Sequence, residues 1–100
     1  MNSSYSKYIG LFKALSDINR LMIVDMLSCG ELCACEILER FDITQPTLSH
    51  HMKVLCDCSL VNMRKDGKWI YYTLNQSIVN DCKNFLHDVT SDTSKCICKE

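Results

Sequence analysis

Cys33 and Cys35 stand at i and i+2 in Glu31-Leu32-Cys33-Ala34-Cys35-Glu36-Ile37-Leu38. Closely spaced thiolates are ligands for soft, thiophilic ions and partners in thiol–disulfide exchange. The segment from about Glu31 to Phe41 reads as a short helix, with acidic residues near its start where the helix dipole favours them. On an intact helix, residues two apart point away from each other. One small ion that takes both thiolates is therefore expected to unwind that turn and to bend whatever the helix supports.

The chain carries eight cysteines, at positions 29, 33, 35, 56, 58, 82, 96 and 98, and three of the pairs are C-x-C. Structural zinc modules more often use C-x2-C or mixed Cys and His sets, and His50, His51 and His87 complete no such pattern. The beginning, Met1-Asn2-Ser3-Ser4-Tyr5, has no basic and apolar leader, and no apolar run reaches membrane-spanning length. The expectation is a cytoplasmic protein without a membrane partner, in which cysteines serve as free thiols, metal ligands or redox sensors rather than as a disulfide framework.

A second set of residues follows directly. In Thr44-Gln45-Pro46-Thr47-Leu48-Ser49-His50-His51-Met52-Lys53, Leu48, Met52 and Leu55 repeat at i, i+4 and i+7 and anchor one helical face to a core. That leaves Gln45, Thr47, Ser49, His50 and Lys53 for groove and phosphate contacts, and a small, uncharged, hydrogen-bonding face suits a major groove. His51 is left open between a nucleic-acid-facing and a core-capping role. Further on, Arg64, Lys65 and Lys68 surround Asp66-Gly67, a sequence that favours a tight hairpin turn. Overall net charge is −1, but it is unevenly spread. Residues 43–75 carry Lys53, Arg64, Lys65 and Lys68 against Asp57 and Asp66, a net +2, whereas residues 1–42 carry a net −2.

The elements that must position these residues are legible around them. Tyr8, Leu11, Phe12 and Leu15 recur at helical spacing, Ser16-Asp17 offers an N-cap, and Leu21, Met22, Val24, Met26 and Leu27 mark a second helix that Gly30 closes. Asp42-Ile43-Thr44 is the turn after the third helix. Thr44 caps a fourth helix, to about Cys58, with Pro46 in its first turn, where a missing N–H costs nothing. Leu60 to Met63 and Trp69 to Leu74 read as two strands, and from Gln76 a last helix presents Ile78, Cys82, Phe85, Leu86 and Val89 on one face. The plan is mainly α with a β-hairpin, a winged helix-turn-helix. Residues 1–90 form one domain, and 91–100 form a flexible cysteine-containing tail. The apolar faces of residues 8 to 15 and 78 to 89 exceed what a small wing covers, which predicts a dimer.

Glu31-Leu32-Cys33-Ala34-Cys35, then Gln45-Pro46-Thr47-Leu48-Ser49-His50-His51-Met52-Lys53, then Arg64-Lys65-Asp66-Gly67-Lys68 resemble, in order and spacing, the ArsR/SmtB family of bacterial metal-sensing repressors, and within it the arsenic-responsive branch. The likeness spans roughly residues 5 to 90. It implies a homodimer joined through the first and last helices that sits on double-stranded operator DNA until arsenite or antimonite, As(III) or Sb(III), binds cysteine thiolates. Cys33 and Cys35 match the C-x-C ligands of that branch. The third cysteine that some arsenic repressors carry three residues later is here Leu38, so the third thiolate is left to Cys29, Cys96 or Cys98. Cadmium/lead members usually add cysteines in an N-terminal extension, and none precedes Cys29. Zinc and nickel members use an Asp/His/His/Glu set on the last helix, of which only His87 has a counterpart.

The other cysteines have plainer readings. Cys82 lies on the apolar stripe of the last helix and is expected in the core, while Cys56 and Cys58 are open between a separate site and packing. Thiols that respond to oxidants on the same DNA-binding module, or to cadmium and lead, are the nearest alternative functions, and a thiol-rich metal buffer is a more distant one. An enzyme is not expected, because no histidine stands with a cysteine and an acid in a catalytic set and no glycine loop cradles phosphate.

Overall fold

A computed structural model describes residues 2–91, with side chains from Tyr5 onward. The elements run α1 (Asn2–Leu15), α2 (Ile18–Leu27), β1 (Leu32–Cys33), α3 (Ala34–Leu38), α4 (Gln45–Asp57), β2 (Val61–Asp66), β3 (Trp69–Leu74) and α5 (Gln76–Thr90). Asp17 caps α2 as expected, its carboxylate accepting from the backbone N–H groups of Asn19 and Arg20 at 2.9 and 3.1 Å. Those hydrogen bonds, first of all the one from Arg20, hold the Asp17 carboxyl below its usual range, because they favour the charged form.

The core is built where the apolar spacing placed it. Leu48, Met52 and Leu55 of α4 are buried against Leu11 and Ala14 of α1, Ile23 and Leu27 of α2, Ile37 of α3, and Leu60, Val61 and Tyr72 of the wing. Cys82 packs against this cluster as a partly buried apolar residue. Burial pushes its thiol pKa up, which keeps it protonated and inert. Two polar side chains complete the helical packing. Arg20 donates from Nε to the Ala14 carbonyl at 2.6 Å, and its Nη1 stands 3.1 Å from Nδ1 of buried His51. His51 is thus a core residue of α4, facing α2.

Three expectations about the backbone need correction. The segment from Glu31 to Phe41 is not one helix. Leu32 and Cys33 form β1, paired antiparallel with Tyr72 and Tyr71 of β3, and α3 begins only at Ala34. The sheet therefore has three strands in the order β1-β3-β2, because the exposed backbone edge of β3 finds a partner. The hairpin strand β2 also runs further than Met63, to Asp66 opposite Trp69. The two turn residues are consequently Gly67 and Lys68 rather than Asp66 and Gly67. Gly67 takes a φ of 63° at the first central position, where a glycine is favoured in hairpin turns that match strand twist.

The exit from α4 is a Schellman turn. The N–H of Ser59 donates to the carbonyl of Cys56 and that of Leu60 to the carbonyl of Leu55, with Ser59 left-handed at φ 67°. This turn sets where β2 leaves the helix, and Asn75 N–H donating to the Leu60 carbonyl at 2.9 Å closes the hairpin's base.

Helix α5 has no fully buried side chain. It is held to α1 by Phe85, whose ring stacks on Tyr8 at 4.2 Å, and by Lys7 with Asp81 at 3.7 Å. Tyr5 and Ile9 of α1 and Leu86 and Val89 of α5 remain exposed.

Candidate functional site

The two cysteines of the C-x-C pair are brought together. Because Cys33 ends a strand in extended backbone (φ −83°, ψ 158°) and caps α3, its side chain is not held at a helical angle to that of Cys35. The Cα atoms are 5.4 Å apart and the two sulfurs are bonded as a disulfide. The premise that both cysteines sit on one intact helical turn therefore does not hold, since Cys33 belongs to β1 and only Cys35 to α3. The Cys33 N–H donates to the Glu36 carboxylate at 2.8 Å, which fixes this junction in the manner of a capping box. Cys33 is buried and Cys35 exposed.

Among the described residues no cluster of three Cys, His, Asp or Glu side chains is arranged to hold a metal ion. Cys29 does not join the pair. It lines a separate hollow with Met26, Leu32, Glu36, Glu39 and Arg40, while Cys35 opens on a cleft of about 250 Å³ with Gln45, Ser49, Lys68 and Trp69. Cys96 and Cys98 lie outside the described residues. Cys58 donates its S–H to the Leu55 carbonyl at 3.3 Å. The neighbouring Cys56 thiol is pushed up in pKa by burial, then by Asp57 and Cys58, which makes it a poor thiolate ligand at neutral pH.

Helix α4 presents the face that its spacing predicts. Thr44 caps it, its hydroxyl accepting from Thr47 N–H at 3.3 Å, and Gln45, Thr47, Ser49, His50 and Lys53 are all exposed. Lys53 is paired with Asp57 one turn later at 2.9 Å. On the wing, Lys65 and Lys68 are exposed, with Lys68 5.7 Å above the Trp69 ring.

Arg64 is placed otherwise than a free basic side chain at a hairpin tip. Its guanidinium donates to both carboxylate oxygens of Glu31, from Nε at 3.1 Å and from Nη2 at 2.8 Å, and lies 4.4 Å over the Tyr71 ring. Glu31 is held below its usual carboxyl range by that arginine. In the sheet register Cys33 is opposite Tyr71 and Tyr71 opposite Arg64, so a thiol ligand candidate, an aromatic ring and a wing arginine form one row across three strands. Nothing in the sequence marks this row, because Cys33 stands 31 and 38 positions before Arg64 and Tyr71 and β1 is only two residues long.

Comparison with known proteins agrees with this architecture. Residues 17–63, from the α2 cap to the first wing strand, match the model of the bacterial regulatory protein arsR family. The chain is 50% identical over 96 residues, 96% of its own length and 92% of the relative's, to the arsenical resistance operon repressor of Staphylococcus aureus. It is 40% identical over 80 residues, 77% of this chain and 66% of the relative, to a cadmium resistance transcriptional regulatory protein CadC homolog of the same species. Among solved structures, HlyU from Vibrio cholerae N16961 superposes with a TM-score of 0.75 at 33% identity, covering 90% of this chain and 98% of that one. With a winged helix-turn-helix fold, an exposed helix suited to a groove and a relative half identical along nearly its whole length, the chain belongs to the ArsR family of bacterial regulatory proteins and is a transcriptional repressor rather than an enzyme.

Proposed function

We propose that this repressor answers trivalent metalloid, arsenite or antimonite. As a homodimer it holds operator DNA through α4 and the wing, and it lets go when Cys33 and Cys35 capture the metalloid. The observation that carries this reading is the juxtaposition of the two sulfurs at the β1–α3 junction, at the start of the helix that precedes α4. Soft thiolates suit a thiophilic metalloid and discriminate against hard cations such as magnesium. The S. aureus relative named for arsenical resistance supports the same ligand class. The exposed Tyr5, Ile9, Leu86 and Val89 supply an apolar surface for pairing α1 and α5 with those of a second copy, and a two-fold dimer suits an inverted repeat with half-sites about one helical turn apart.

A switch of this kind needs a loss of ~2–4 kcal/mol in DNA binding, roughly 30- to 1000-fold in affinity. Fluorescence anisotropy of the reduced protein on labelled DNA from its own promoter, at fixed salt and titrated with arsenite, tests it. Tight binding followed by stoichiometric release supports the reading, and tight binding that arsenite leaves unchanged overturns it. The meeting of the two sulfurs favours one second reading, release by oxidation of the pair to a disulfide. Dithiothreitol-reversible release by peroxide, without any effect of arsenite, selects that alternative.

A further inference from the structure

The thiol pair and the wing are connected by more than chain continuity. Glu31 lies two residues before Cys33, and its carboxylate takes two hydrogen bonds from Arg64. Arg64 in turn covers Tyr71, the residue paired with Cys33. Strand β1 has only two residues, so its position against β3 rests on few backbone hydrogen bonds. A bidentate guanidinium–carboxylate pair fixes both distance and angle, as a single-point ion pair does not. Cys33 ends this strand and caps α3, so any change in its backbone is delivered to both neighbours, α3 on one side and Glu31 on the other.

We propose that Glu31 and Arg64 are positioning residues that carry occupancy of the Cys33–Cys35 pair to the wing, through the row Cys33, Tyr71, Arg64 and the Glu31 grip. When the pair takes a ligand, β1 shifts at Cys33. Glu31 moves with it and draws Arg64, and the wing changes its angle to α4. Release from DNA then comes from the loss of two contact surfaces in register rather than from distortion of α4 alone. The inference rests on the proposed thiol switch for its signal, and on the sheet geometry for its route.

The test uses the full chain as wild type, Glu31→Gln, Arg64→Met and the double variant. Each is measured by anisotropy on promoter DNA with and without arsenite, and bound arsenic is quantified per chain. Glu31→Gln retains the size of the side chain and leaves the Arg64 charge available. The expected result is wild-type arsenic stoichiometry in all four proteins, with the arsenite-induced fall in affinity reduced about tenfold in each single variant and no further in the double, within the range of typical coupling. A Glu31→Gln protein that is released as fully as wild type overturns the proposal. Failure of arsenite to release the wild type counts against the metalloid reading instead. The route is then judged by the Arg64 Nε–H and Trp69 indole N–H resonances when diamide oxidises the Cys33–Cys35 pair. Movement of both in wild type and of neither in Glu31→Gln supports it, and no movement in wild type overturns it.

Discussion

Arg20 reaches Nδ1 of His51 at 3.1 Å while its Nε holds the last turn of α1 through the Ala14 carbonyl at 2.6 Å. One guanidinium thus ties the end of α1, the start of α2 and the back of α4 together. For Nδ1 to accept, His51 carries its proton on Nε2. Removal of the imidazole leaves a half-buried donor without its partner and a void in the α4 core, so His51→Ala is expected to lose about 1–2 kcal/mol. The coupling between Arg20→Ala and His51→Ala in a double-mutant cycle is expected to exceed about 0.5 kcal/mol. Chemical denaturation of the four proteins measures both, and strictly additive losses would contradict the shared role.

Ser59 occupies the position where a Schellman turn usually has glycine. A left-handed backbone costs an L residue roughly 1–2 kcal/mol, part of which glycine gives back in unfolded-state entropy. Ser59→Gly is therefore expected to stabilise the protein by about 0.5–1 kcal/mol, and Ser59→Ala to give no gain. Thermal unfolding should show a rise of roughly 2–8 °C for the glycine variant alone.

The Asp17 cap predicts a pH dependence with a definite sign. Its carboxyl is held below 3.8 in the folded protein, first by the backbone N–H of Arg20, so the cap's contribution is fully present above pH 3.8 and is lost as pH falls through the lower folded value. Asp17→Ala is expected to cost about 1 kcal/mol at neutral pH. Asp17→Asn keeps an acceptor and should cost little there, while flattening the acid limb below about pH 4. An acid limb in Asp17→Asn as steep as that of wild type would contradict this assignment.

The thiol pair should divide on stability although it acts as one unit in release. Cys33 is buried and Cys35 exposed. Cys33→Ser is thus expected to lose about 1 kcal/mol, and Cys35→Ser to remain within about 0.5 kcal/mol of wild type. On promoter DNA both variants should bind as wild type and fail to respond to arsenite. If either loses DNA binding in the absence of arsenite, that cysteine is structural.

Lys65 and Lys68 are exposed without a carboxylate partner among the described ion pairs, which are those of Lys7, Lys53 and Arg64. If both meet phosphate, Lys65→Ala and Lys68→Ala should each lower the slope of log affinity against log salt by about 1, uniformly across DNA sequences. Titrations at three salt concentrations read that slope directly. An unchanged slope would remove the residue from the interface.

Much of this was legible in residue spacing. Asp17, Thr44 and Pro46 announce helix starts, Leu48, Met52 and Leu55 announce the buried face of α4, and Asp66-Gly67 between two β-prone runs announces the hairpin, because caps, periodicity and turns are local signals. Strand β1 was not legible. Two residues carry no periodicity, Glu36 and Ile37 read equally well as the continuation of a helix, and the partner that makes Leu32 a strand residue, Tyr72, is distant in sequence. The same distance hid the Glu31–Arg64 grip and the contact of Arg20 with His51. Convergence of Cys33 and Cys35 was misread for this reason, since the angle between their side chains depends on a strand that only the tertiary fold creates.

Helix α5, held by half-buried Ile78, Val79 and Cys82 and by the stacking of Phe85 on Tyr8, with no side chain fully buried, gives the molecule uneven rigidity. Amides of α4, whose Leu48, Met52 and Leu55 are buried, are expected to be among the best protected, whereas those of α5 are expected to exchange through fraying of one element. On the proposed assembly the missing protection is supplied by a second copy. The stiffness of this end of the protein would then rise with its own concentration by mass action, and a dilute chain would be loose at α5 while its DNA-facing half stayed folded.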